Sequence, residues 1–433
     1  MRRENPLKRL VRETCFSVTG SDPAVLAACM RDAKERNCHF ICEATVNQVN
    51  QFGGYTGMRP ADYVEMVCGF ADELDFPRER IILSGDHLGP FVWRHLEARE
   101  AMEHSCQLVR EYVKAGFRKI HLDPTMPLGG DDPESFGNEI IAQRAVELAR
   151  AAEEAYETWG DKTIWDYRPA YVIGSEVPVP GGTERQEGMQ VTSPQALRDT
   201  LECFREAFLQ NDLNRVWEDT VAVVAQIGLE FSEDHVYDFC HEAALPLAQE
   251  LRRHSPLVFE SHSSDYQTPA SLRRMVEDGV GILKVGPELT FAHREALISL
   301  SLMERELADV WEFTPANFPK VLETVMLEQE PDYWRAYYHG TQEEQRLKRR
   351  YSYSDRCRYY FAEPRVKAAR ERLLENLSLK QLPLYLVSQY FPVQYERIRE
   401  GKLSCTPRAL LEDRICQVMD RYYDNMLKAK KRR

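Results

Sequence analysis

The fold is decided by residues 81–90, which read IILSGDHLGP. The first four are apolar or small, which is typical of a strand buried on both faces, as in a parallel sheet covered by helices. Glycine and proline then end the strand, and Asp86 and His87 lie where it stops. An isolated Asp-His pair has an ordinary interpretation, with Asp86 capping the next helix and His87 buried in the core. Polar residues at other strand ends favour a functional interpretation.

The strand pattern recurs along the chain, and segments of helical periodicity separate its copies. The predicted strands are residues 15–19, 40–42, 81–84, 119–122, 171–173, 221–225, 257–259 and 282–285. The predicted helices between them include residues 60–74, 96–115, 140–159, 194–210, 235–254 and 269–278. Eight strands alternating with helices predict an α/β fold, the (β/α)8 TIM barrel.

The alternation of strands and helices stops near residue 307. The remaining sequence has a helical pattern and many aromatic residues. We therefore predict a barrel domain over residues 1–306 and a helical C-terminal extension, packed on the barrel, over residues 307–433. Residues 351–360 (YSYSDRCRYY) are aromatic and basic, which favours packing or a protein interface over a ligand lid, because Tyr and Arg dominate interface hot spots.

Composition limits the class of protein. The 433 residues are 43% hydrophobic and 29% charged, which argues against extensive disorder. The net charge of -13 disfavours a nucleic-acid binder. No run of about 18 apolar residues occurs, and none follows Arg2 and Arg3, so we predict neither a membrane helix nor a signal peptide and expect a cytoplasmic protein. The 11 cysteines are expected to be reduced thiols.

Polar residues follow most of the predicted strands. In (β/α)8 barrels the reactive groups lie at the C-terminal strand ends and on the loops that follow them. The residues at these ends are Glu43 and Gln51 (strand 2), Asp86 and His87 (strand 3), Asp123 (strand 4), Glu176 (strand 5), Gln226 (strand 6), residues 260–265 (strand 7) and Lys284 (strand 8). All are expected at one mouth of the barrel, whereas His121 is expected to alternate away from it.

Four of these side chains are candidate metal ligands: His87, His262, Glu176 and Gln226. A divalent metal that binds the carbonyl and adjacent hydroxyl of a sugar needs two or three N or O ligands with positions left open. Imidazole with carboxylate is the usual set for zinc or manganese. Each residue alone would more often be structural, but four around one mouth predict a zinc or manganese site.

Three carboxylates are candidate catalytic groups: Asp86, Glu43 and Glu176. Asp86 lies beside a candidate metal ligand, which suits a proton shuttle near bound substrate. It would equally suit a partner that orients an imidazole. A carboxylate at a strand end, such as Glu43, is also often a helix cap. For Asp123, packing and function are equally favoured.

The loops after strands 7 and 8 are candidates for phosphate binding, because barrels often hold phosphate there through backbone N–H groups and a helix N-terminus. The candidate substrate- or phosphate-binding residues are Gln51, Ser263, Ser264, Asp265, Lys284 and Gly286. Lys284 could also form a Schiff base, but pairing with a phosphate or a carboxylate is the simpler role. The glycine pairs at residues 53–54 and 181–182 lack the spacing of a nucleotide-binding fingerprint.

Longer motifs carry a resemblance to a known family. They are EATVNQVNQFGGYTG (43–57), GDHLGP (85–90), GSEVPVPGG (174–182), HSSDYQTP (262–269), LKVGP (283–287) and YSYSDR (351–356). Through these motifs almost the whole chain resembles the GatZ/KbaZ family. That resemblance implies the non-catalytic Z subunit of class II D-tagatose-1,6-bisphosphate aldolase, needed for the activity and stability of a catalytic Y subunit. Some similar proteins are ketohexose 4-epimerases.

The same family resembles the class II aldolases, in which an Asp-His pair after strand 3 supplies a catalytic acid and a metal ligand, and two further histidines complete a zinc site. Asp86 and His87 match that pair, and His262 matches one later histidine. Gln226 departs from the pattern, because no histidine follows strand 6.

The resemblance therefore implies a Z subunit in galactitol or N-acetylgalactosamine breakdown, with a Y subunit as partner and a ketohexose phosphate as substrate. The alternative is a metal-dependent 4-epimerase that interconverts fructose and tagatose or their 6-phosphates. Homo-oligomerisation stays open.

Overall fold

The structure is a computed structural model that describes residues 4–132, 134–160, 163–174, 190–329 and 333–430. Its strands are β1 (Cys15–Thr19), β2 (Phe40–Thr45), β3 (Ile81–Leu88), β4 (Lys119–Leu122), β5 (Ala170–Gly174), β6 (Thr220–Val224), β7 (Glu230–Phe231), β8 (Val236–Tyr237), β9 (Val258–Ser261) and β10 (Val280–Val285). Strands β1–β6, β9 and β10 form a closed barrel in which all pairs are parallel. The predicted (β/α)8 barrel is confirmed.

Helices cover the barrel in the alternating order that the sequence predicted. They are α1 (Leu7–Glu13), α2 (Pro23–Glu35), α3 (Pro60–Glu73), α4 (Ala98–Ala115), α5 (Asn138–Trp159), α6 (Pro194–Gln210), α7 (Asn214–Glu218), α8 (His241–Leu251), α9 (Pro269–Glu277) and α10 (Pro287–Trp311). The predicted helix over residues 235–254 was wrong at its start. Its first residues instead form β8, which pairs with β7 as an antiparallel hairpin after β6.

The C-terminal extension is helical, as predicted. Its helices are α11 (Phe318–Glu328), α12 (Gln342–Tyr351), α13 (Pro364–Ser378), α14 (Leu384–Tyr390), α15 (Pro392–Arg399) and α16 (Pro407–Lys430), with a short 3-10 helix at Arg356–Tyr360. Helix α16 packs against α2, α9 and α10, and α13 packs against α10 and α11. The predicted boundary after residue 306 lies within α10, and the division into two domains stays a prediction.

The interior of the barrel is apolar at one end and polar at the other. Because side chains alternate along each strand, every second residue faces inward. At the N-terminal end these residues include Ile41, Ile82 and Ile282, and they pack with Leu7 and Val11 of α1. Helix α1 therefore closes the bottom of the barrel, and the polar residues occupy the end where the strands stop.

The cysteines and the apolar character of the helices were also considered in the sequence. All 11 cysteines are free thiols, as expected. Across the described residues, no helix has both the length and the apolar character needed to cross a membrane.

Gly89 illustrates why the stretch after β3 contains glycine. A Cβ atom at this position would lie 2.0 Å from the carbonyl oxygen of Asp123. The backbones after β3 and β4 therefore approach too closely for any side chain, and this approach holds Asp86, His87 and Asp123 near one another.

We predict that Gly89→Ala lowers the free energy of unfolding by about 2–4 kcal/mol, because the added methyl group would clash with backbone that cannot rotate away. Gly69→Ala in α3 is the matched control, since a Cβ there meets no atom within 4 Å. The control should be neutral or stabilising by up to about 1 kcal/mol. Urea denaturation of both variants tests this, and equal stability of the two would contradict it.

Candidate active site at the barrel mouth

A bulge in β3 points two consecutive side chains into the barrel. Neighbouring residues of a regular strand face opposite sides, but the pairing of β3 with β4 is irregular. Gly85 pairs with Ile120 and Leu88 with Leu122, so Asp86 and His87 together face the single residue His121. His87 has φ 50°, the left-handed conformation. The extra residue in β3 changes the direction in which the side chains point, as bulges near active sites often do.

Five buried ionic side chains form what we call the charged cluster: Glu43, Asp86, Lys119, Glu260 and Lys284. Lys119 Nζ lies 2.6 Å from Glu43 Oε2 and 2.7 Å from Glu260 Oε2. Lys284 Nζ lies 3.0 Å from Glu43 Oε1 and 3.7 Å from Glu260 Oε1, and it also pairs with Asp86. Each ammonium group thus contacts at least two carboxylates.

The register of the strands brings this cluster together. Glu43 pairs with Ser84 across β2 and β3, and Ser84 pairs with Lys119 across β3 and β4. Hydroxyl groups of Ser17, Thr19 and Ser84 donate hydrogen bonds to the Glu43 carboxylate. Glu43 is therefore fully engaged by neighbours inside the barrel.

The opposite charges within the charged cluster keep its carboxylates and ammonium groups ionised. Burial alone would raise the pKa of Glu260, but Lys119, His262 and Lys284 lower it below its usual value. Burial would likewise raise the pKa of Asp86, but His87 and Lys284 hold it well below its usual value. Burial opposes the charge of Lys284, yet its carboxylate neighbours raise its pKa. All of these groups are charged at neutral pH.

Three histidines from different strands lie beside the charged cluster. The ring centroids of His87, His121 and His262 are 4.9–5.3 Å apart. His87 Nδ1 lies 2.7 Å from Asp123 Oδ2, and His121 Nδ1 lies 2.8 Å from Asp86 Oδ1. An imidazole whose one nitrogen bonds a carboxylate is the usual form of a metal-ligating histidine.

The chemistry of these groups fits a divalent cation. Asp86, His121, Glu260 and His262 offer ligand atoms that all lie within 4.8 Å of one another. The Nε2 atom of His121 is buried and has no hydrogen-bond partner among the residues that the structure describes. Burial, together with the charge of Lys284, lowers the pKa of His262 to about 3, so its imidazole is neutral, as a metal ligand must be.

The balance of charged groups at the site also favours binding of a divalent cation. The charged cluster holds three carboxylates and two ammonium groups, and Asp123 adds a fourth carboxylate. Carboxylates therefore outnumber ammonium groups by four to two at this end of the barrel. Lys284 also lies 3.2 Å from His262 Nε2, so a bound cation and Lys284 would share the same partners.

The predicted metal ligands do not all converge in the structure. Of the four predicted ligands, the structure brings His87 and His262 together at the mouth. Gln226 Oε1 instead accepts hydrogen bonds from the N–H groups of Gly228 and Leu229, which gives it a local role in its loop. Glu176, predicted both as a ligand and as a catalytic group, lies outside the described residues.

The predicted phosphate-binding residues are largely bonded to one another. Asp265 Oδ1 accepts hydrogen bonds from the N–H groups of Gly286 (2.9 Å) and Glu288 (2.8 Å) at the start of α10. Ser264 donates to the Lys284 carbonyl. Gln51 Nε2 donates to the carbonyl of His104. Ser263 and Lys284 do line the cavity at the mouth.

That cavity has a volume of about 330 Å³ and opens above the histidines. Asp86, His87, His262 and Lys284 line its inner part. Other residues that line it belong to the C-terminal extension, including Arg358 and Tyr359 from the segment predicted to be used for packing or an interface. Tyr359 also contacts Tyr55 of the loop after β2, with ring centroids 4.8 Å apart. The extension thus forms part of the cavity wall.

Sequence reasoning missed two residues of this site. Lys119 was not considered, and the expectation that His121 faces away from the mouth was wrong, because its ring lies beside His87 and His262. The spacing of residues in the sequence could have predicted both. Lys119, His121 and Asp123 are spaced by two residues, so placing Asp123 at the mouth requires the other two to face inward as well.

The chain is similar to known proteins over almost its whole length. A family model described as D-tagatose-1,6-bisphosphate aldolase subunit GatZ/KbaZ-like matches residues 6–426. A crystal structure of a probable tagatose 6 phosphate kinase from Sinorhizobium meliloti 1021 is 39% identical, covers 95% of this chain and 100% of its own, and has a TM-score of 0.86. The YdjI aldolase from Escherichia coli K12 is 12% identical, with coverages of 87% and 96% and a TM-score of 0.40.

A pH-dependent stability is expected from Glu230 on the hairpin. Its side chain is buried, and its Oε1 accepts a hydrogen bond from the N–H of Phe231. Burial raises the pKa of Glu230 to about 7 from its ordinary 4.5, although a hydrogen bond from Ser263 offsets part of this. The folded state therefore keeps a proton that the unfolded chain releases. The free energy of unfolding should fall as the pH rises from 4.5 to about 7.

Glu230→Gln should remove this contribution, so the variant gains stability relative to the parent chain between pH 5 and pH 8, by up to about 3 kcal/mol. Urea denaturation at the two pH values measures the change, and the comparison cancels the contributions of other titrating groups. Glu202→Gln, an exposed change on α6, is the control and should show no such trend. A gain for Glu230→Gln that is the same at both pH values would contradict the prediction.

Proposed function

The chain belongs to the GatZ/KbaZ-like family of D-tagatose-1,6-bisphosphate aldolase subunits, and from that premise we propose that it is the Z subunit of a class II enzyme of this kind. In this role it supports the activity and stability of a catalytic Y subunit in galactitol or N-acetylgalactosamine breakdown. The observation that carries the proposal is the extent of the match, which includes both the barrel and the helical extension.

A second candidate is favoured by the site itself. The mouth holds three histidines, four carboxylates and two lysines around one cavity. A subunit that only supports its partner has no need of a buried imidazole nitrogen without a hydrogen-bond partner. We therefore also propose that the chain could act alone as a metal-dependent 4-epimerase on fructose and tagatose or their 6-phosphates. Both roles concern the same class of sugar, the ketohexose phosphates.

The proposed metal site is the group of Asp86, His121, Glu260 and His262, with the His87 imidazole beside it. Zinc and manganese both accept this mixture of imidazole and carboxylate. When bound, such a cation would polarise the carbonyl and the adjacent hydroxyl of a ketohexose. Asp123 would hold the His87 ring in place through Nδ1, at the observed 2.7 Å.

The remaining groups of the charged cluster take positions that suit distinct roles. Lys284 faces the cavity, and its raised pKa keeps it protonated. It is thus suited to donate a hydrogen bond to a sugar oxygen and unsuited to form a Schiff base, which needs a neutral amine. Asp86 faces the cavity between Lys284 and the histidines, where it can accept a hydroxyl proton from substrate. Glu43, held by Lys119 and three hydroxyl groups, is better placed to orient the lysines.

Phosphoryl transfer is not proposed, although one similar structure carries a kinase name. The glycine pairs of the sequence lack the spacing of a nucleotide-binding fingerprint.

The two proposed roles predict different behaviour of the purified chain. A 4-epimerase should interconvert D-fructose 6-phosphate and D-tagatose 6-phosphate alone when supplied with zinc or manganese, and NMR would follow the reaction. A supporting subunit should be silent in that assay and should raise the rate of D-tagatose 1,6-bisphosphate cleavage by a Y subunit. Activity in neither assay would contradict both proposals.

The metal site can be tested without activity. We predict that His121→Ala weakens zinc and manganese binding at least about tenfold, because it removes the imidazole whose Nε2 is unpartnered. Competition with a chromogenic chelator measures the affinity. The exposed residue His95 provides the control, and His95→Ala should leave the affinity unchanged. Equal affinities for the two variants would place the metal elsewhere.

A further inference from the structure

We propose that the C-terminal extension supplies an anion subsite at the rim of the cavity, built by Arg358, Lys367 and Arg370, that binds the phosphate of a sugar phosphate. The inference rests on the proposed function for the identity of the sugar. It moves phosphate recognition from the loops after β9 and β10, where the sequence placed it, to a part of the chain outside the barrel strands.

The predicted phosphate position is already filled by the protein itself. A phosphate at the start of α10 would use the N–H groups of Gly286 and Glu288. Both of these groups donate to the carboxylate of Asp265, which is buried. An arriving phosphate would have to displace a carboxylate that the fold holds in place.

Lys284 is also a poor phosphate partner. Its ammonium group contacts Glu43, Asp86 and Glu260. A phosphate brought to Lys284 would lie against three carboxylates, and the mutual repulsion of these anions would exceed the attraction of one shared cation. The inner part of the cavity therefore favours the neutral, oxygen-rich end of a ligand.

The rim has the opposite charge. Arg358, Lys367 and Arg370 line the same cavity, and all three belong to the extension. Lys367 and Arg370 are three residues apart on α13, which places them on one face of that helix. Asp22 is 3.8 Å from Arg370, but its carboxylate also accepts hydrogen bonds from two backbone N–H groups at the start of α2. The rim thus keeps an excess of positive charge.

Arg358 is held in position by neutral acceptors. Its guanidinium donates to the carbonyls of Ser354 and Asp355 and to the hydroxyl of Tyr359. Within the described residues no carboxylate oxygen lies within 4.0 Å of its nitrogens. The nearby Asp355 carboxylate is paired with Arg294 at 2.7 Å. An oriented arginine whose hydrogen bonds among the described residues go to neutral acceptors is a suitable partner for phosphate.

One cavity therefore joins a negative inner part to a positive rim. This polarity matches a ligand that has hydroxyl and carbonyl oxygens at one end and a phosphate at the other. The cavity volume of about 330 Å³ lies within the range of small-ligand sites. The rim would discriminate a phosphorylated ketohexose from the free sugar.

Calorimetric titration of the full chain with D-fructose 6-phosphate, D-fructose and inorganic phosphate tests the proposal. Lys367→Gln and Arg370→Gln should each weaken fructose 6-phosphate binding about three- to tenfold, as expected for one lost charge-assisted contact. Binding of free fructose should stay within twofold of the parent chain. Arg372→Gln is the matched control, because Arg372 is an exposed residue of the same helix that does not line the cavity.

The outcomes separate this inference from the proposed function. Unchanged fructose 6-phosphate binding in both variants, or an equal loss for phosphorylated and free sugar, would overturn the anion subsite while leaving the function intact. Inorganic phosphate binding that depends on Lys367 and Arg370, without any sugar binding, would support the subsite and overturn the 4-epimerase role. A parent chain that binds neither phosphate compound would overturn the subsite.

Discussion

Two lysine side chains buried inside the barrel set the main constraint on this structure. A buried ammonium group is costly unless carboxylates surround it, and an unpaired partner left behind would cost several kcal/mol. Lys119 and Lys284 meet this requirement through Glu43, Glu260 and Asp86, which come from three other strands. Any slip of one strand by one residue would turn its charged side chain to the helix-facing side. The ion pairs thus require the same register that brings the histidines together.

The sequence predicted the architecture well because alternation and burial are local signals. All eight barrel strands and six of the helices between them were predicted from apolar runs and helical periodicity. The β7–β8 hairpin was missed because its strands have only two residues each, too few to show a period. The candidate metal ligands His87 and His262 were recognised as strand-end residues, whereas His121 was assigned to the wrong face despite its spacing from Asp123.

Other features of the site depend on contacts between distant parts of the chain, and the sequence could not reveal them. The bulge at His87 follows from how β3 pairs with β4. Asp265 was predicted to help bind phosphate, and only the fold shows that its carboxylate accepts hydrogen bonds from the N–H groups of Gly286 and Glu288 at the start of α10. Arg358 lies in a segment whose composition suggested packing, and its place in the cavity wall depends on how the extension returns to the barrel mouth. The roles of Glu43, Asp86 and Lys284 stay proposals.

The position of the rim residues has a consequence for synthesis of the protein. The barrel strands are complete once residue 285 has been translated, but Arg358, Lys367 and Arg370 follow 73 to 85 residues later. At translation rates of about 5–20 residues per second, this interval lasts several seconds. During that time a nascent barrel has its ionic interior but not its full cavity wall. The polypeptide should therefore acquire its complete binding cavity only late in synthesis, after the strands that carry the chemical groups have had time to pair.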